Sequence, residues 1–383
     1  MKTIYDYYPN MDKIKTDIPK QIKEKLNEVK KIKPTKSMIL HALSKERLKA
    51  EDLYILLSDL SLDFLEDMAN RARSERYKYF GNNVYLFSPL YIANYCDNSC
   101  KYCGFRKDSD ILRAKLDCKE IQMEMDALSK TGIEDVLILT GEHEKNSSIE
   151  YIANACKLAK TYFREIGLEV YPCNVDDYKI LHKAGADFVT VFQETYNEKA
   201  YDYFHPSGHK RNIEYRMNTQ ERAILGGMRG VGFGALFGLS DPIDDAFCLA
   251  YHAALVQKKY PYAEISISLP RIRPTHGADE TIKLNLVSDK KLFQILLVMR
   301  IFMPFASITI STRESSDFRK LAVKYAATKI SASVDTGIGH RSGAIKDTGS
   351  DQFEINDTNS TEDVYKILKD LGMTPVFTDY INI

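Results

Sequence analysis

Eight short, β-branched apolar runs, each followed by a helix-like stretch, constrain the fold of this chain more than any other feature. The runs span residues 84–93, 135–140, 169–171, 188–192, 230–235, 263–269, 307–311 and 329–334. Helical patterns separate them at residues 118–130, 149–166, 213–226, 244–258 and 289–302. A repeated strand and helix predicts parallel strands joined by crossovers. Eight units in about 250 residues predict an α/β fold, the (β/α)8 TIM-type barrel.

Polar and ionisable residues follow these runs, where a barrel carries its active site. The segments concerned are the cysteine-rich loop after the first run and residues 140–142, 172–174, 193–196, 271–273, 312–314 and 331–333. Loops are polar in most proteins, but so many such segments converging on one end of a barrel indicate a small-molecule site.

The regions outside the barrel are shorter. Residues 1–80 read as a helical extension, with helices at 20–32, 52–60 and 61–73, the last capped by Ser61. Residues 81–340 form the predicted barrel domain. Residues 341–383 form a C-terminal extension, with a helix at 363–371 capped by Ser360 and an ending expected to pack across the barrel.

Charge and hydropathy exclude several classes of function. Lys plus Arg and Asp plus Glu both number 53, so no bulk positive field attracts nucleic acid or anionic lipid. The first residues lack an apolar signal core, and no apolar run approaches the roughly 18 residues of a membrane span. We therefore expect a soluble, cytoplasmic protein.

Three of the seven cysteines, Cys96, Cys100 and Cys103, fall within eight residues. An odd number of cysteines in a large chain argues against a disulfide framework and favours a metal or redox site. Three soft ligands in one loop suit an iron–sulfur cluster or zinc. Structural zinc needs four ligands, and Cys118, the available fourth cysteine, stands alone at a helix start. The remaining cysteines, Cys118 included, are expected to be small buried side chains.

The spacing Cys-x3-Cys-x2-Cys, with aromatic Tyr102 before the last cysteine, resembles the radical S-adenosylmethionine enzymes. In that family three cysteines hold a [4Fe–4S] cluster, and S-adenosylmethionine chelates the fourth iron. One electron then cleaves S-adenosylmethionine to methionine and a 5′-deoxyadenosyl radical. The resemblance implies the same two cofactors here, with Cys96, Cys100 and Cys103 as the metal ligands.

The resemblance also assigns residues to S-adenosylmethionine binding. Thr140, Gly141 and Glu142 resemble the element that takes the methionine amino group. Arg216 resembles the helix arginine that pairs with the methionine carboxylate, although a lone helix arginine is often only an ion-pair partner. Gly234, in Gly232-x-Gly234, resembles the strand under the adenine. Tyr102 and Gln193 complete the implied cofactor-binding set.

Longer segments resemble the aromatic amino acid lyases, most nearly the thiamine-pathway tyrosine lyases. These include residues 79–82, 89–96, 102–105, 169–172, 193–196, 205–208, 234–241, 270–274 and 311–314. The resemblance implies hydrogen abstraction from the amino group of L-tyrosine and cleavage of its Cα–Cβ bond to p-cresol and 2-iminoacetate. It also implies a flavodoxin- or ferredoxin-type reductant and a thiazole synthase partner.

Within the lyases, Arg313 resembles the arginine that binds the substrate carboxylate, and Ser331 a second donor. A rim ion pair between Arg313 and Glu314 or a neighbour is the structural alternative, and Arg271 and Arg273 rank lower for the carboxylate. His205 and His340 are expected to make local hydrogen bonds only.

Two alternatives remain open, and a third is nearly excluded by the sequence. The hydrogenase-maturation tyrosine lyases carry a C-terminal cysteine set, whereas no cysteine follows Cys248 in this sequence. Tryptophan lyases share the barrel and the single cluster. A non-catalytic iron–sulfur or zinc-binding barrel would not cleave S-adenosylmethionine.

Overall fold

Eight parallel strands close into a barrel in the computed structural model, which describes residues 3–279 and 281–378. The strands are β1 (Asn83–Ala93), β2 (Asp135–Thr140), β3 (Glu165–Glu169), β4 (Phe188–Glu194), β5 (Gly230–Ala235), β6 (Glu264–Ser268), β7 (Ser307–Ile310) and β8 (Lys329–Ser331). Each pairs in parallel with the next, and β1 pairs with both β2 and β8, which closes the ring. The predicted (β/α)8 fold is confirmed.

A ninth strand, β9 (Thr374–Val376), was not predicted. It pairs with residues Asn83–Tyr85 of β1, below the stretch of β1 that pairs with β2. A run of three residues is too short a pattern to predict a strand. The pairing depends instead on the edge of β1 at Asn83–Tyr85, which β2 does not cover. The C-terminal tail therefore binds the amino-terminal end of the barrel.

Fourteen α-helices lie in the described part of the chain, and most of them surround the barrel. They are α1 (Ile18–Val29), α2 (Lys36–Ser44), α3 (Ala50–Leu57), α4 (Leu65–Phe80), α5 (Cys118–Ser129), α6 (Ile149–Ala159), α7 (Val175–Ala184), α8 (Glu198–Phe204), α9 (Ile213–Met217), α10 (Thr219–Leu225), α11 (Pro242–Lys259), α12 (Asp289–Phe302), α13 (Ser316–Tyr325) and α14 (Thr361–Asp370). Short 3₁₀ helices span Asp59–Phe64 and His209–Arg211.

The N-terminal helices pack on the outside of the barrel. Helix α1 contacts α11, and α4 contacts α12 and α13. Arg76 of α4 is fully buried and donates hydrogen bonds to the backbone carbonyls of Gly81, Asn83 and Ala327. These bonds satisfy the buried guanidinium and fix α4 to the start of β1. The division into segments 1–80, 81–340 and 341–383 remains a proposal.

The prediction of the third strand was wrong. The predicted helix over 149–166 ends at Ala159, and β3 occupies Glu165–Glu169 instead of 169–171. Ile166 and Leu168 are buried, whereas Glu165, Gly167 and Glu169 line the interior of the barrel. A strand that presents charged residues to a polar interior lacks the continuous apolar run on which the prediction relied.

Smaller boundary predictions were also wrong. Ser61 does not cap a helix; it lies inside the 3₁₀ turn and donates to the carbonyls of Leu56 and Ser58. The helix predicted at 213–226 divides into α9 and α10 at Asn218. Strand β8 stops at Ser331, because Ser333 adopts a positive φ of 48°. The Ser360 cap is confirmed, since its side chain accepts from the Asp363 amide.

Candidate active site

The three clustered cysteines lie in the loop that follows β1. Cys100 is buried, and Cys96 and Cys103 are partly buried. The amide of Cys103 donates to the carbonyl of Cys100 over 3.1 Å, which turns the loop back on itself. Burial raises the pKa of the Cys96 thiol to about 11 and that of Cys100 further. Thiolates at these positions therefore require a bound cation or cluster to offset their charge.

The spacing of the sulfur atoms argues against a single zinc ion. Two thiolates on one tetrahedral zinc lie about 3.8 Å apart, given Zn–S bonds of about 2.3 Å. Within residues 3–279 and 281–378, the three sulfur atoms do not form a group whose members all lie within 4.8 Å of one another. At least one pair of these sulfur atoms is therefore farther apart than two thiolates on one zinc ion.

The end of β2 packs directly on the cysteine loop. A Cβ atom on Gly141 would lie 2.3 Å from the carbonyl oxygen of Tyr95 and 3.3 Å from the Cβ of Cys96, so only glycine fits there. The amide of Asp97 donates to the carbonyl of Glu142 over 2.7 Å. Asn98 Nδ2 donates to Glu142 Oε2 over 2.5 Å and lies 3.7 Å from the sulfur of Cys96.

A cleft of about 640 Å³, here called the cysteine cleft, opens beside this loop. Its wall includes Cys96, Asn98, Cys100, Cys103, Thr140, Gly141, Glu142, Glu169, Glu194, Lys210 and Arg216. The hydroxyl oxygen of Thr140 is buried there and has no hydrogen-bond partner in the part of the chain that the structure describes. An unpaired buried hydroxyl favours a bound polar ligand.

Arg216 forms an ion pair inside the chain. Its Nη2 lies 3.2 Å from Glu194 Oε1, and its Nε donates to the carbonyl of Phe192 over 2.5 Å. Lys210 Nζ lies 2.6 Å from the same Glu194 oxygen. Burial alone would raise the pKa of Glu194, but Lys210 and Arg216 hold it below its ordinary value. Two cations share one carboxylate, so the cluster of Glu194, Lys210 and Arg216 carries a net positive charge.

The backbone at Glu194 is strained. Its φ is +71°, and the amide of Thr195 donates to the carbonyl of Gln193 across it. Such conformations persist where the surroundings impose them. Asp245 supplies part of that constraint, because its Oδ1 accepts from the Tyr196 amide over 2.8 Å and from Thr195 Oγ1 over 3.0 Å.

Tyr102, Gln193 and Gly234 lie beside the cysteine cleft rather than in its wall. Tyr102 is buried with its hydroxyl 2.9 Å from His205 Nε2. Gln193 is buried, and neither atom of its amide group has a partner among the described residues. A Cβ atom on Gly234 would lie 2.4 Å from the Phe192 ring, so the glycine lets that ring pack against β5.

The barrel interior holds a second space of about 900 Å³, here called the barrel cavity. Asp135, Glu165 and Lys329 stand at its floor, where Lys329 pairs with Asp135 and lies 3.8 Å from Glu165 Oε1. Phe87, Phe188, Phe192, Leu137 and Leu139 form its apolar wall, and Thr190, Ser266, Ser268 and Thr309 add hydroxyls. Glu169, Thr190 and Phe192 line both spaces, which are therefore adjacent.

Arg313 and Ser331 line the upper part of the barrel cavity. The Arg313 guanidinium lies over the Phe353 ring and has no ion-pair partner among residues 3–279 and 281–378. Ser331 Oγ accepts from the Thr312 amide over 3.2 Å. The rim ion pair expected for Glu314 exists, but its partners are Arg271 and Arg273. Arg313 is left facing the cavity.

The remaining predicted histidines and cysteines lie apart from this site. His205 is buried and bonds locally to Tyr102 and the Tyr201 carbonyl, and burial lowers its pKa well below the ordinary value. His340 contacts Asp335 over 3.3 Å. Cys156, Cys173 and Cys248 are buried as expected, whereas Cys118 is exposed and was wrongly predicted to be buried.

Three residues of this site were not singled out from the sequence. Lys210 lies in the 3₁₀ helix His209–Arg211 and Phe353 in a loop, both without a distinctive pattern, and Glu169 was assigned to the start of a strand instead of its end. The alternation of Glu165, Gly167 and Glu169 with Ile166 and Leu168 was the signal available for Glu169.

Comparison with known proteins gives two family matches. The profile of the Radical SAM superfamily matches residues 90–245, and that of the Biotin and Thiamin Synthesis associated domain matches residues 268–374. Among residues 3–279 and 281–378, no helix combines the length and apolar character of a membrane span.

Several relatives match almost the whole chain. The 2-iminoacetate synthase of Salmonella typhimurium is 35% identical over 348 residues, which cover 90% of this chain and 91% of the relative. The Escherichia coli 2-iminoacetate synthase is 33% identical over 347 residues with the same coverage. The X-ray structure of the FeFe-hydrogenase maturase HydG from Carboxydothermus hydrogenoformans superposes with a TM-score of 0.88 at 28% identity and covers 96% of this chain and 86% of that one.

Proposed function

This chain belongs to the radical SAM superfamily and, within it, to the 2-iminoacetate synthase lyases, and from that premise we propose that it cleaves the Cα–Cβ bond of L-tyrosine to p-cresol and 2-iminoacetate. The observation that carries the proposal is that two spaces lie side by side. The cysteine cleft shares Glu169, Thr190 and Phe192 with a barrel cavity lined by Arg313, which has no ion-pair partner among the described residues.

We propose that Cys96, Cys100 and Cys103 hold a [4Fe–4S] cluster at the cleft. Thr140, Gly141 and Glu142 would bind the methionine end of S-adenosylmethionine beside it, a role supported by the unpaired hydroxyl of Thr140. When bound, these cofactors supply a 5′-deoxyadenosyl radical that abstracts hydrogen. The protein's own contribution is to hold the cofactors and exclude water.

Arg216 has a more limited part in this proposal. Because it already pairs with Glu194, a methionine carboxylate would compete with that glutamate or share the net positive charge that Lys210 adds. The proposed role of Tyr102, Gln193 and Gly234 is to pack behind the residues that form the wall of the cleft.

Arg313 and Ser331 are proposed to bind the substrate carboxylate. A guanidinium offers two parallel donors that match a carboxylate, and Arg313 has no ion-pair partner within residues 3–279 and 281–378. The cavity lies inside the barrel behind an apolar wall, where each such hydrogen bond is stronger than it would be in water.

Polar groups deep in the cavity favour a phenol as the substrate ring. The hydroxyls of Ser266 and Thr309 lie 3.5 Å apart on its wall, and Lys329 stands at the floor. Phenol both donates and accepts hydrogen bonds, whereas the indole N–H only donates. A wall that can do both therefore favours tyrosine over tryptophan.

The reaction also requires partners outside this chain. We propose that a flavodoxin- or ferredoxin-type protein supplies the electron and that a thiazole synthase receives the imine. A reducing compartment such as the cytoplasm would suit seven unbridged cysteines.

Product analysis tests the proposal directly. The anaerobically reconstituted protein is supplied with a reductant, S-adenosylmethionine and equal concentrations of tyrosine and tryptophan. We expect p-cresol together with 5′-deoxyadenosine. An indole product without p-cresol would instead identify a tryptophan lyase, and absence of both 5′-deoxyadenosine and methionine would contradict any radical SAM activity.

A further inference from the structure

Glu169 is a partly buried carboxylate without a partner in the described part of the chain. It is the last residue of β3 and lies where the cysteine cleft meets the barrel cavity. Within residues 3–279 and 281–378, its side chain makes no hydrogen bond and no ion pair. Burial raises the pKa of Glu169 to about 7, against the opposing charge of Arg313.

Three other enclosed carboxylates around the barrel are paired with cations. Glu194 pairs with Lys210 and Arg216. Glu314 pairs with Arg271 and Arg273. At the cavity floor, Asp135 pairs with Lys329. Buried charges are normally paired, so an unpaired carboxylate facing a cavity indicates a site that a cation or a hydrogen-bond donor completes.

Among the described residues, two cations line the barrel cavity, Lys329 and Arg313, and Lys329 is paired with Asp135. Arg313 faces this space without an ion-pair partner in the described part of the chain. A ligand that complements both Arg313 and Glu169 carries an anionic group for Arg313 and a cation or hydrogen-bond donor for Glu169, such as a carboxylate and an amino group. An α-amino acid has these two groups on one carbon atom.

The two residues differ in which space they border. Arg313 lines only the barrel cavity, whereas Glu169 lines both the barrel cavity and the cysteine cleft. An amino acid held between them has its carboxylate on the cavity side and its amino group toward the cleft. Its side chain then points down the barrel, toward the apolar wall.

We propose that the Glu169 carboxylate binds the amino group of the substrate and turns its nitrogen toward the cysteine cleft. This inference rests on the proposed function, since it takes the ligand to be the amino acid substrate. It assigns Glu169 a direct substrate contact, which makes it a catalytic residue alongside Arg313.

Binding of substrate analogues tests this contact. Affinities are measured by calorimetry on the reconstituted protein with S-adenosylmethionine and no reductant. The ligands are L-tyrosine and 3-(4-hydroxyphenyl)propanoate, which lacks the amino group. We expect Glu169→Gln to weaken tyrosine binding about 10- to 100-fold, as a lost charge-assisted hydrogen bond should. Binding of the desamino analogue should change less than threefold.

The exposed Glu362→Gln on α14 is the matched control and should bind both ligands as the wild type does. Equal loss of both ligands in Glu169→Gln, or no loss of either, would overturn the proposal. If that variant does not fold, the affinities of the wild-type protein for the two ligands test the proposal instead. Tyrosine should then bind at least tenfold tighter than the desamino analogue, and equal affinities would overturn the proposal.

The failure of this inference is distinguishable from failure of the proposed function. Wild-type protein that forms p-cresol, combined with unchanged tyrosine affinity in Glu169→Gln, refutes the Glu169 contact alone. Wild-type protein that forms no p-cresol refutes the tyrosine lyase proposal and, with it, this assignment.

Discussion

The guanidinium of Arg313 lies 3.4 Å from the centre of the Phe353 ring. Arg313 follows β7, whereas Phe353 comes from the segment between β8 and α14, so two distant parts of the chain build one wall of the cavity. Stacking on an aromatic face fixes the plane of a guanidinium without neutralising its charge. The C-terminal segment is therefore part of the candidate substrate site.

Replacement of Arg313 tests its role in carboxylate binding. Arg313→Lys keeps the charge but loses the planar pair of donors, so we expect the KM for tyrosine to rise at least tenfold. Binding of tyramine, which lacks the carboxylate, should change less than threefold. Steady-state kinetics and calorimetry measure these effects, and an unchanged KM would contradict the role of Arg313.

Replacement of Cys103 tests the cluster ligands. Cys103→Ala should lose the broad visible absorbance of the [4Fe–4S] cluster and all cleavage of S-adenosylmethionine, because a thiolate ligand is removed. Cys118→Ala is the matched control, since Cys118 is exposed and lies at the start of α5. Full cluster content in Cys103→Ala, or cluster loss in Cys118→Ala, would contradict the assignment.

A methyl group at Gly141 should disturb the cysteine loop. The added Cβ would lie 2.3 Å from the Tyr95 carbonyl oxygen, so the loop must move away from the end of β2. We expect Gly141→Ala to reduce the iron content after reconstitution by more than half. Gly132→Ala, whose Cβ meets no atom within 4 Å, carries only the strain of a positive φ and should retain its iron. Equal iron contents would show that the contact does not matter.

Asp245 should make the stability of the fold depend on pH. Burial raises the pKa of Asp245 from 3.8 to about 7. Between these values the folded state binds more protons than the unfolded state, so stability falls as pH rises and levels off above about pH 7. The loss amounts to at most about 4 kcal/mol, at roughly 1.4 kcal/mol per pKa unit.

Asp245→Asn removes this pH dependence while keeping an acceptor for Thr195 and the Tyr196 amide. The difference in Tm between variant and wild type should become more positive from pH 5 to pH 8. Thermal unfolding at the two pH values measures it, and a difference that does not vary with pH would refute the prediction.

The barrel and the cysteine loop could both be predicted from the sequence, because each has a recognisable local sequence pattern. The apolar runs of β2, β4, β5 and β7 were recognisable, and the spacing of Cys96, Cys100 and Cys103 stands out in any context. Thr140, Gly141 and Glu142 were expected at the same end of the barrel, and they line the same cleft as the cysteines.

The rest depended on contacts between distant residues. The ends of β3 present Glu165 and Glu169 to the interior, which removes the apolar run that marks a buried strand. Lys210 reaches Glu194 from the 3₁₀ helix after α8, and Phe353 reaches Arg313 from the C-terminal segment. No local pattern identifies such partners, because tertiary packing alone brings them together.

The mass of the 5′-deoxyadenosine formed in D2O tests most directly whether the substrate amino group faces the cysteine cleft. Hydrogens on nitrogen exchange with solvent, whereas those on the carbon atoms of tyrosine do not. We expect 5′-deoxyadenosine from tyrosine in D2O to carry one deuterium. Unlabelled 5′-deoxyadenosine in D2O, with deuterium acquired instead from tyrosine labelled at its Cβ atom, would contradict abstraction at the amino group.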